Sequence, residues 1–324
     1  MTAMTITAPE EASCSSGTDF SPTIFHEPWW LRLASGEAYS EVTVESGGRL
    51  AGRLPFISRR RFGLLKTIHM PSLTHYLGPA LAPEYERPGA VKSFKSIEIH
   101  MQLLTQLPKA MHIWFRLHPA IATTLAFDRA GFSNLAQWTV EIPPAAPTEL
   151  WKRMRDKTRN AIRRASEVMQ AETLNDSAFF FDFYNDCLRD TGRQNSYDKE
   201  CLKRLIPEAL SRGRGRVLAA READGTPQAA IFTVWDARRE YYFMSARRPK
   251  AHFGAVSLLL WSALQEAAAQ GRVFDMDGIH VVDGQCPNLL LLSGFGGNFS
   301  PRYCVSRTNA ALSLLQTARH LVRR

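Results

Sequence analysis

Side chains able to do chemistry crowd one stretch of this 324-residue chain. The apolar run Val273-Phe274 ends in Asp275-Met276-Asp277-Gly278. A strand that turns polar at its carboxyl end sets charged groups at the rim of a sheet, where ligands usually bind. Side chains alternate along a regular strand, so only one of the two acids faces a cleft. Asp277, beside Gly278 and nearer the following loop, is the candidate for proton transfer; Asp275, between Phe274 and Met276, reads as structural. His280 follows closely and has an ordinary pKa suited to moving protons. Tyr242 and Tyr303, on neighbouring strands, are candidate O–H donors.

Upstream lies a basic loop, Arg247-Arg248-Pro249-Lys250-Ala251-His252-Phe253, and then Gly254-Ala255 opening a long apolar helix through Gln270. A helix start carries partial positive charge and unpaired N–H groups, so Arg247, Arg248, Lys250, Gly254 and Ala255 together suit a phosphate. A second basic segment, the helix expected over Leu150 to Gln170, puts Lys157, Arg159 and Arg163 near one stripe. They can clamp phosphates or pair with acids of neighbouring helices.

The elements that must position these groups can be followed along the chain. Tyr39–Val44 and Leu50–Ser58 form a hairpin across Gly47-Gly48, and 62–70 continues extended. Pro71 to Pro88 reads as loop, Val91–Leu107 as helix, His112–His118 as strand, Ala120–Gly131 as helix and Leu135–Ile142 as strand. Pro143-Pro144-Ala145-Ala146-Pro147 is the expected hinge. Beyond the basic helix come helices at 176–191 and 198–211, and a hairpin of Val217–Arg221 with Ala229–Trp235. The strand Glu240–Ala246, the helix 254–270, the strand from Arg272, a leucine-rich helix, the strand Pro301–Ser306 and a final helix complete the order. The second half repeats the element order of the first without repeating its sequence.

Composition narrows the class. With 45% hydrophobic and 22% charged residues the chain can build ordinary cores, and its length suits two of them. The five cysteines show no Cys-x-x-Cys spacing, which argues against a zinc ribbon or a disulfide framework. No metal site is expected, and no Walker loop, dinucleotide fingerprint or nucleophile elbow is present. The leading residues lack a basic start and a long apolar run, so a floppy leader over 1–21 and a cytoplasmic protein without a transmembrane segment are expected. The net charge of +9 fits nucleic acid, anionic lipid or a polyanionic small substrate.

Taken together, the strand-loop-helix from Tyr241 to Gln270, the strand ending at Gly278, the Phe295-Gly296-Gly297 turn, the basic helix and the opening Phe25-His26-Glu27-Pro28-Trp29-Trp30-Leu31 resemble the FemAB-like branch of the GNAT acyltransferases, over about residues 22–308. The resemblance implies an α/β protein of two tandem GNAT-like domains, each a mixed, mostly antiparallel sheet flanked by helices. These are expected at 22–146 and 147–308, with a C-terminal helix at 309–324. In such a domain the strand before the long helix splays from its neighbour, and the cofactor pyrophosphate sits at that helix's start.

The activity implied is N-acyl transfer from acyl-CoA, acetyl or longer, to an amine acceptor such as a cell-envelope or polysaccharide precursor, with Asp277 or His280 as base. The acceptor would lie in the cleft between halves, lined by Trp30, His75 and Tyr76 and by the basic stripe. The loop departs from the usual acetyltransferase signature, with Ala251 and Val256 flanking Gly254. Leu291-Leu292 stands where FemAB peptidyltransferases carry Phe-Lys. Two alternatives therefore stand beside it: aminoacyl transfer from tRNA, the one case that calls for nucleic acid, and a non-catalytic GNAT scaffold binding a polyanion or partner.

Overall fold

A computed structural model of the chain describes residues 20–61, 65–86, 90–279 and 285–309. It divides into two compact units, one of residues up to 136 together with those from 302, the other of residues 137–301. Both are mixed α/β with mostly antiparallel strands.

The first unit opens with a 3₁₀ turn, Ile24–His26, and α1 (Pro28–Ser35), a helix the sequence reading did not include. Proline at its first position pre-sets φ, and Gly36 in the left-handed region ends it. β1 (Tyr39–Ser46) and β2 (Arg49–Arg61) pair antiparallel, and β2 pairs antiparallel with β3 (Leu65–His69). After β4 (Ala80–Leu81), α2 (Pro83–Glu86) and α3 (Ala90–Gln106), the chain returns as β5 (His112–Arg116), parallel to β3. Only Leu125–Arg129 of the expected 120–131 helix is helical, as α4. β6 (Ser133–Ile142) follows.

The single basic helix expected over 150–170 is two helices, α5 (Pro147–Arg153) and α6 (Asp156–Val168), and its tail is a strand, β7 (Met169–Thr173). The break lies at Met154-Arg155, both with extended backbone. Arg159 braces it: its guanidinium donates to the carbonyls of Lys152 (3.1 Å) and Met154 (2.9 Å) and to that of Trp151 (3.3 Å), which also accepts the Met154 N–H. Next come α7 (Ser177–Asp190), α8 (Lys199–Ser211), β8 (Gly215–Glu222), β9 (Pro227–Trp235) and β10 (Arg239–Arg247). α9 (Ala255–Ala269), β11 (Val273–Gly278), α10 (Leu289–Ser293) and β12 (Asn298–Thr308) complete the described chain. The expected final helix falls outside the described residues.

The strand order is β1-β2-β3-β5-β12 in the first unit and β7-β8-β9-β10-β11-β6 in the second. Each holds an antiparallel meander, a parallel crossover through a long helix (β3-α3-β5 and β10-α9-β11), and an antiparallel strand beside the crossover strand. That last strand is exchanged: β6 flanks β11, and β12 flanks β5. The compact units therefore do not coincide with halves cut at the Pro143–Pro147 hinge, because a proline break marks where the chain bends and not which sheet a strand joins. No helix among the described residues is long and apolar enough to cross a membrane.

Candidate active site

In the second unit β10 and β11 are paired only at Arg239/Val273, Glu240/Phe274 and Tyr241/Asp275. β10 nevertheless runs on to Arg247 and β11 to Gly278. The two strands part just after Tyr241. A one-residue bulge at Phe243 bends β10 there, the register with β9 advancing from Tyr242/Thr233 to Met244/Phe232. On β11 the regular strand backbone is interrupted at Asp277, whose φ of 67° is left-handed.

Between them opens a pocket of about 230 Å³. Tyr242, Met244 and Ser245 of β10 and Asp277 and Gly278 of β11 wall it on two sides; Tyr184, Tyr197, Asn288 and Leu291 complete it. Burial and the nearby Asp277 charge push the Tyr242 phenol up to about 12, against the lowering effect of its bond to Ser245 Oγ. Burial, then Asp277, raises Tyr197, and burial with Tyr197 takes Tyr184 to about 12. All three phenols thus stay protonated donors at neutral pH. Asn288 Nδ2 donates to the Gly278 carbonyl at 3.0 Å, fixing the pocket floor.

The two acids of β11 have separate environments. Asp275 is fully buried, its Oδ1 lying 2.6 Å from Thr139 Oγ1 and accepting the Asp277 N–H at 3.1 Å. Asp277 is half-buried on the pocket wall. Its backbone conformation breaks the strand alternation that the two-face reading assumed.

From the pocket β10 leads into the basic loop and then α9. Among the described residues the N–H groups of Val256 and Ser257 in the first turn have no acceptor; Ala255 N–H returns to the His252 carbonyl and the helical ladder resumes at Leu258 with Gly254. The loop's cations differ in freedom. Arg248 is held by Asp190 at 2.7 Å and Asp186 at 3.8 Å and lies 5.1 Å from the Phe183 ring. Arg247 donates to the Ala251 carbonyl, and Lys250 is exposed.

Gly254 has a packing reason of its own. A Cβ there would sit 2.2 Å from the Ala161 carbonyl oxygen of α6, while its φ of −85° suits any residue. Ala255, fully buried, opens the helix beneath it. The Phe-Gly-Gly turn is fixed in the same way: a Cβ on Gly296 would meet the Arg153 carbonyl at 2.2 Å, and one on Gly297 the Glu141 carbonyl at 2.6 Å.

Other sequence-derived candidates lie elsewhere. Trp30 and Tyr76 are core residues of the first unit, 0% and 1% exposed, which corrects their reading as acceptor-lining residues: Trp30 donates to the Leu73 carbonyl, and Tyr76 packs against Phe25 and under Arg302. His75 is half-buried with its ring 5.2 Å from Phe25. Tyr303 packs against the first unit's core and is not among the pocket's lining residues. Arg159 is spent on the end of α5, and Arg163 bonds Asn160 and lies 5.5 Å from Trp151. Lys157 is exposed. His280 falls outside the described residues. No metal-binding group of His, Cys, Asp and Glu occurs among the described residues.

Sequence reasoning missed Tyr184, Tyr197 and Asn288. Tyr184 sits in an aromatic helix face with no distinguishing mark, whereas Tyr197, the lone aromatic of the polar segment Gly192-Arg193-Gln194-Asn195-Ser196-Tyr197-Asp198, was a usable signal.

Residues 152–280 match the family model described as acetyltransferase (GNAT) domain. The matched residues lie within the second unit. The parting of its β10 and β11 is the splay that the resemblance implied. No curated protein matches the chain at a significant level. Solved structures match it in fold. One is FemX, 11% identical with a TM-score of 0.63, covering 92% of this chain and 94% of that one. Another is the C-terminal domain of a putative lysylphosphatidylglycerol synthetase from Agrobacterium fabrum, 13% identical with a TM-score of 0.57 and 89% of each chain covered. A third is L-PGS from Bacillus licheniformis, 10% identical with a TM-score of 0.54 and 91% of each covered. At these identities the likeness is one of fold, and the FemAB-like resemblance holds at that level. The match to that model supports an acyltransferase type of function.

Proposed function

We propose that the protein is a cytoplasmic N-acyltransferase that moves an acyl group from acyl-CoA to an amine held in the second unit's pocket. The observation that carries this reading is the notch after Tyr241/Asp275, with Asp277 on its wall and the free N–H groups of α9 at the end of the same strand and loop. The thioester enters the notch, and a pyrophosphate rests on the first turn of α9 with Lys250 nearby. The Asp277 carboxylate takes the proton from the acceptor ammonium, directly or through water. The freed amine attacks the thioester carbonyl, and a protonated phenol, Tyr197, or Tyr242 once its O–H turns from Ser245 Oγ, donates a hydrogen bond to the oxyanion. Collapse breaks the C–S bond, and the proton lost by the attacking nitrogen goes to the departing thiolate, leaving the amide and free thiol.

A second reading has its own observation. Arg247 and Arg248 are engaged within the protein, which leaves few loop cations for a nucleotide phosphate, while Lys152, Arg153, Arg155, Lys157, Arg163 and Arg164 are exposed. An aminoacyl-tRNA donor would use that surface and lose affinity steeply with salt.

Calorimetric titration with acetyl-CoA and a long-chain acyl-CoA tests the reading. Phe253→Glu is the fitting control, because Phe253 is 61% exposed just before α9 and a carboxylate there repels phosphate without a packing cost. Micromolar binding weakened in the variant supports acyl-CoA. No binding to either thioester, with salt-sensitive binding of charged tRNA, supports the second donor, and binding of neither leaves a scaffold without this chemistry.

A further inference from the structure

The pocket's carboxylate does not hold its own position. Asp277 is a non-glycine residue with φ 67°, a left-handed conformation that Asp enters more readily than bulkier residues and that its surroundings hold in place. Both of its backbone polar groups are tied to one buried pair. Its N–H donates to Asp275 Oδ1 at 3.1 Å, and its carbonyl lies 2.5 Å from Thr139 Oγ1. The same Thr139 hydroxyl is 2.6 Å from Asp275 Oδ1, so its proton has two acceptors in reach and the three residues form a closed bracket. Thr139 and Asp275 are both fully buried.

Around the bracket β11 has a register shift against β6. Pairing jumps from Asp275/Glu141 to Gly278/Thr139, three residues on one strand against two on the other. The Ile279 N–H then locks onto the Trp138 carbonyl at 2.7 Å. The irregularity that turns Asp277 toward the pocket is thus built by β6, the strand exchanged from the first half of the sequence.

We infer that Thr139 is a positioning residue: its hydroxyl holds the backbone of Asp277 in the left-handed conformation that presents the carboxylate to the pocket. The role given to the carboxylate rests on the acyl-transfer reading, whereas the bracket does not. Valine is the near-isostere that removes the hydroxyl, and serine keeps it.

The test uses Thr139→Val, Thr139→Ser, Asp277→Gly and the double variant Thr139→Val/Asp277→Gly in the full chain. Glycine accepts positive φ without cost. The urea midpoint should fall with Thr139→Val in the parent chain, and by less than half as much in the Asp277→Gly background. In turnover, Thr139→Val should lower kcat about tenfold or more, the size of one hydrogen bond to the reacting geometry, leave KM for the thioester within about twofold, and be rescued by Thr139→Ser. Equal destabilisation in both backgrounds overturns the bracket, whatever the protein's reaction. Coupling in stability with unchanged kcat in Thr139→Val, where Asp277→Asn is inactive, overturns the positioning role alone. Coupling with no acyl transfer by the parent chain keeps the bracket and rejects the acyl-transfer reading.

Discussion

Gly254→Ala should be among the more damaging single-methyl additions this protein can receive. The added Cβ would lie 2.2 Å from the Ala161 carbonyl oxygen, 2.8 Å from its carbon and 3.2 Å from Ala165 Cβ. Ordinary contact begins near 3.4 Å, so α6 and α9 must part by roughly 1.2 Å (3.4 − 2.2) at a crossing made of backbone, which cannot swing aside. Overpacking of this kind typically costs about 1–3 kcal/mol, and a rigid backbone neighbour puts the expectation at about 3. Backbone strain adds nothing, since φ at Gly254 is −85°. Urea denaturation measures the loss. Gly225→Ala is the control, because φ there is +85° with nothing within 4 Å, and its cost is the conformational one alone, about 1–2 kcal/mol. Because α9 carries the proposed phosphate site, Gly254→Ala should also weaken acyl-CoA binding, and Gly225→Ala should not. A Gly254→Ala protein within about 0.5 kcal/mol of the parent would refute the packing argument.

Two other outcomes follow from the geometry. Asp277→Asn should cut kcat by about a hundredfold or more while leaving thioester binding nearly intact, the pattern expected for loss of a general base; a product assay by mass spectrometry beside the calorimetry reads both. In the first unit His100 is buried with neither ring nitrogen hydrogen-bonded, and burial, reinforced by His118, takes its pKa down to about 4 from 6.5. A depressed pKa means stability that is whole above the unfolded value and is lost as pH falls from 6.5 towards 4. The full loss is about 3 kcal/mol at 1.36 kcal/mol per pH unit, with ~2 kcal/mol gone by pH 5. His100→Leu should remove that slope, as urea midpoints at pH 7 and pH 5 would show; an unchanged slope would place the acid sensitivity elsewhere, for instance in His26, which burial also holds well below the usual range.

What the sequence made legible was local. The β10-α9-β11 crossover could be read from an apolar strand, a basic loop and a long apolar helix, because each announces itself within its own window. The polar end of β11 pointed to Asp277 for the same reason. The break at Met154-Arg155 was hidden because Leu150, Met154, Ala161 and Ile162 keep a helical spacing through it, while the carbonyls freed there are satisfied by Arg159. Tyr184 and Tyr197 reach the pocket from segments remote from β11 in sequence, and Thr139 reaches Asp277 through a strand exchange that no local pattern encodes. Gly254 stood out in the sequence only as part of a helix start; the close approach of α6, which leaves no room there for a Cβ, comes from residues some ninety positions away that no local window contains.

The most direct test is a crystal structure with a non-hydrolysable acyl-CoA thioether. The account predicts the acyl carbonyl between Tyr242 and Asp277, where β10 and β11 part, with the pyrophosphate on the N–H groups of Val256 and Ser257. A ligand bound elsewhere on the protein, with that notch empty at saturating concentration, would contradict it.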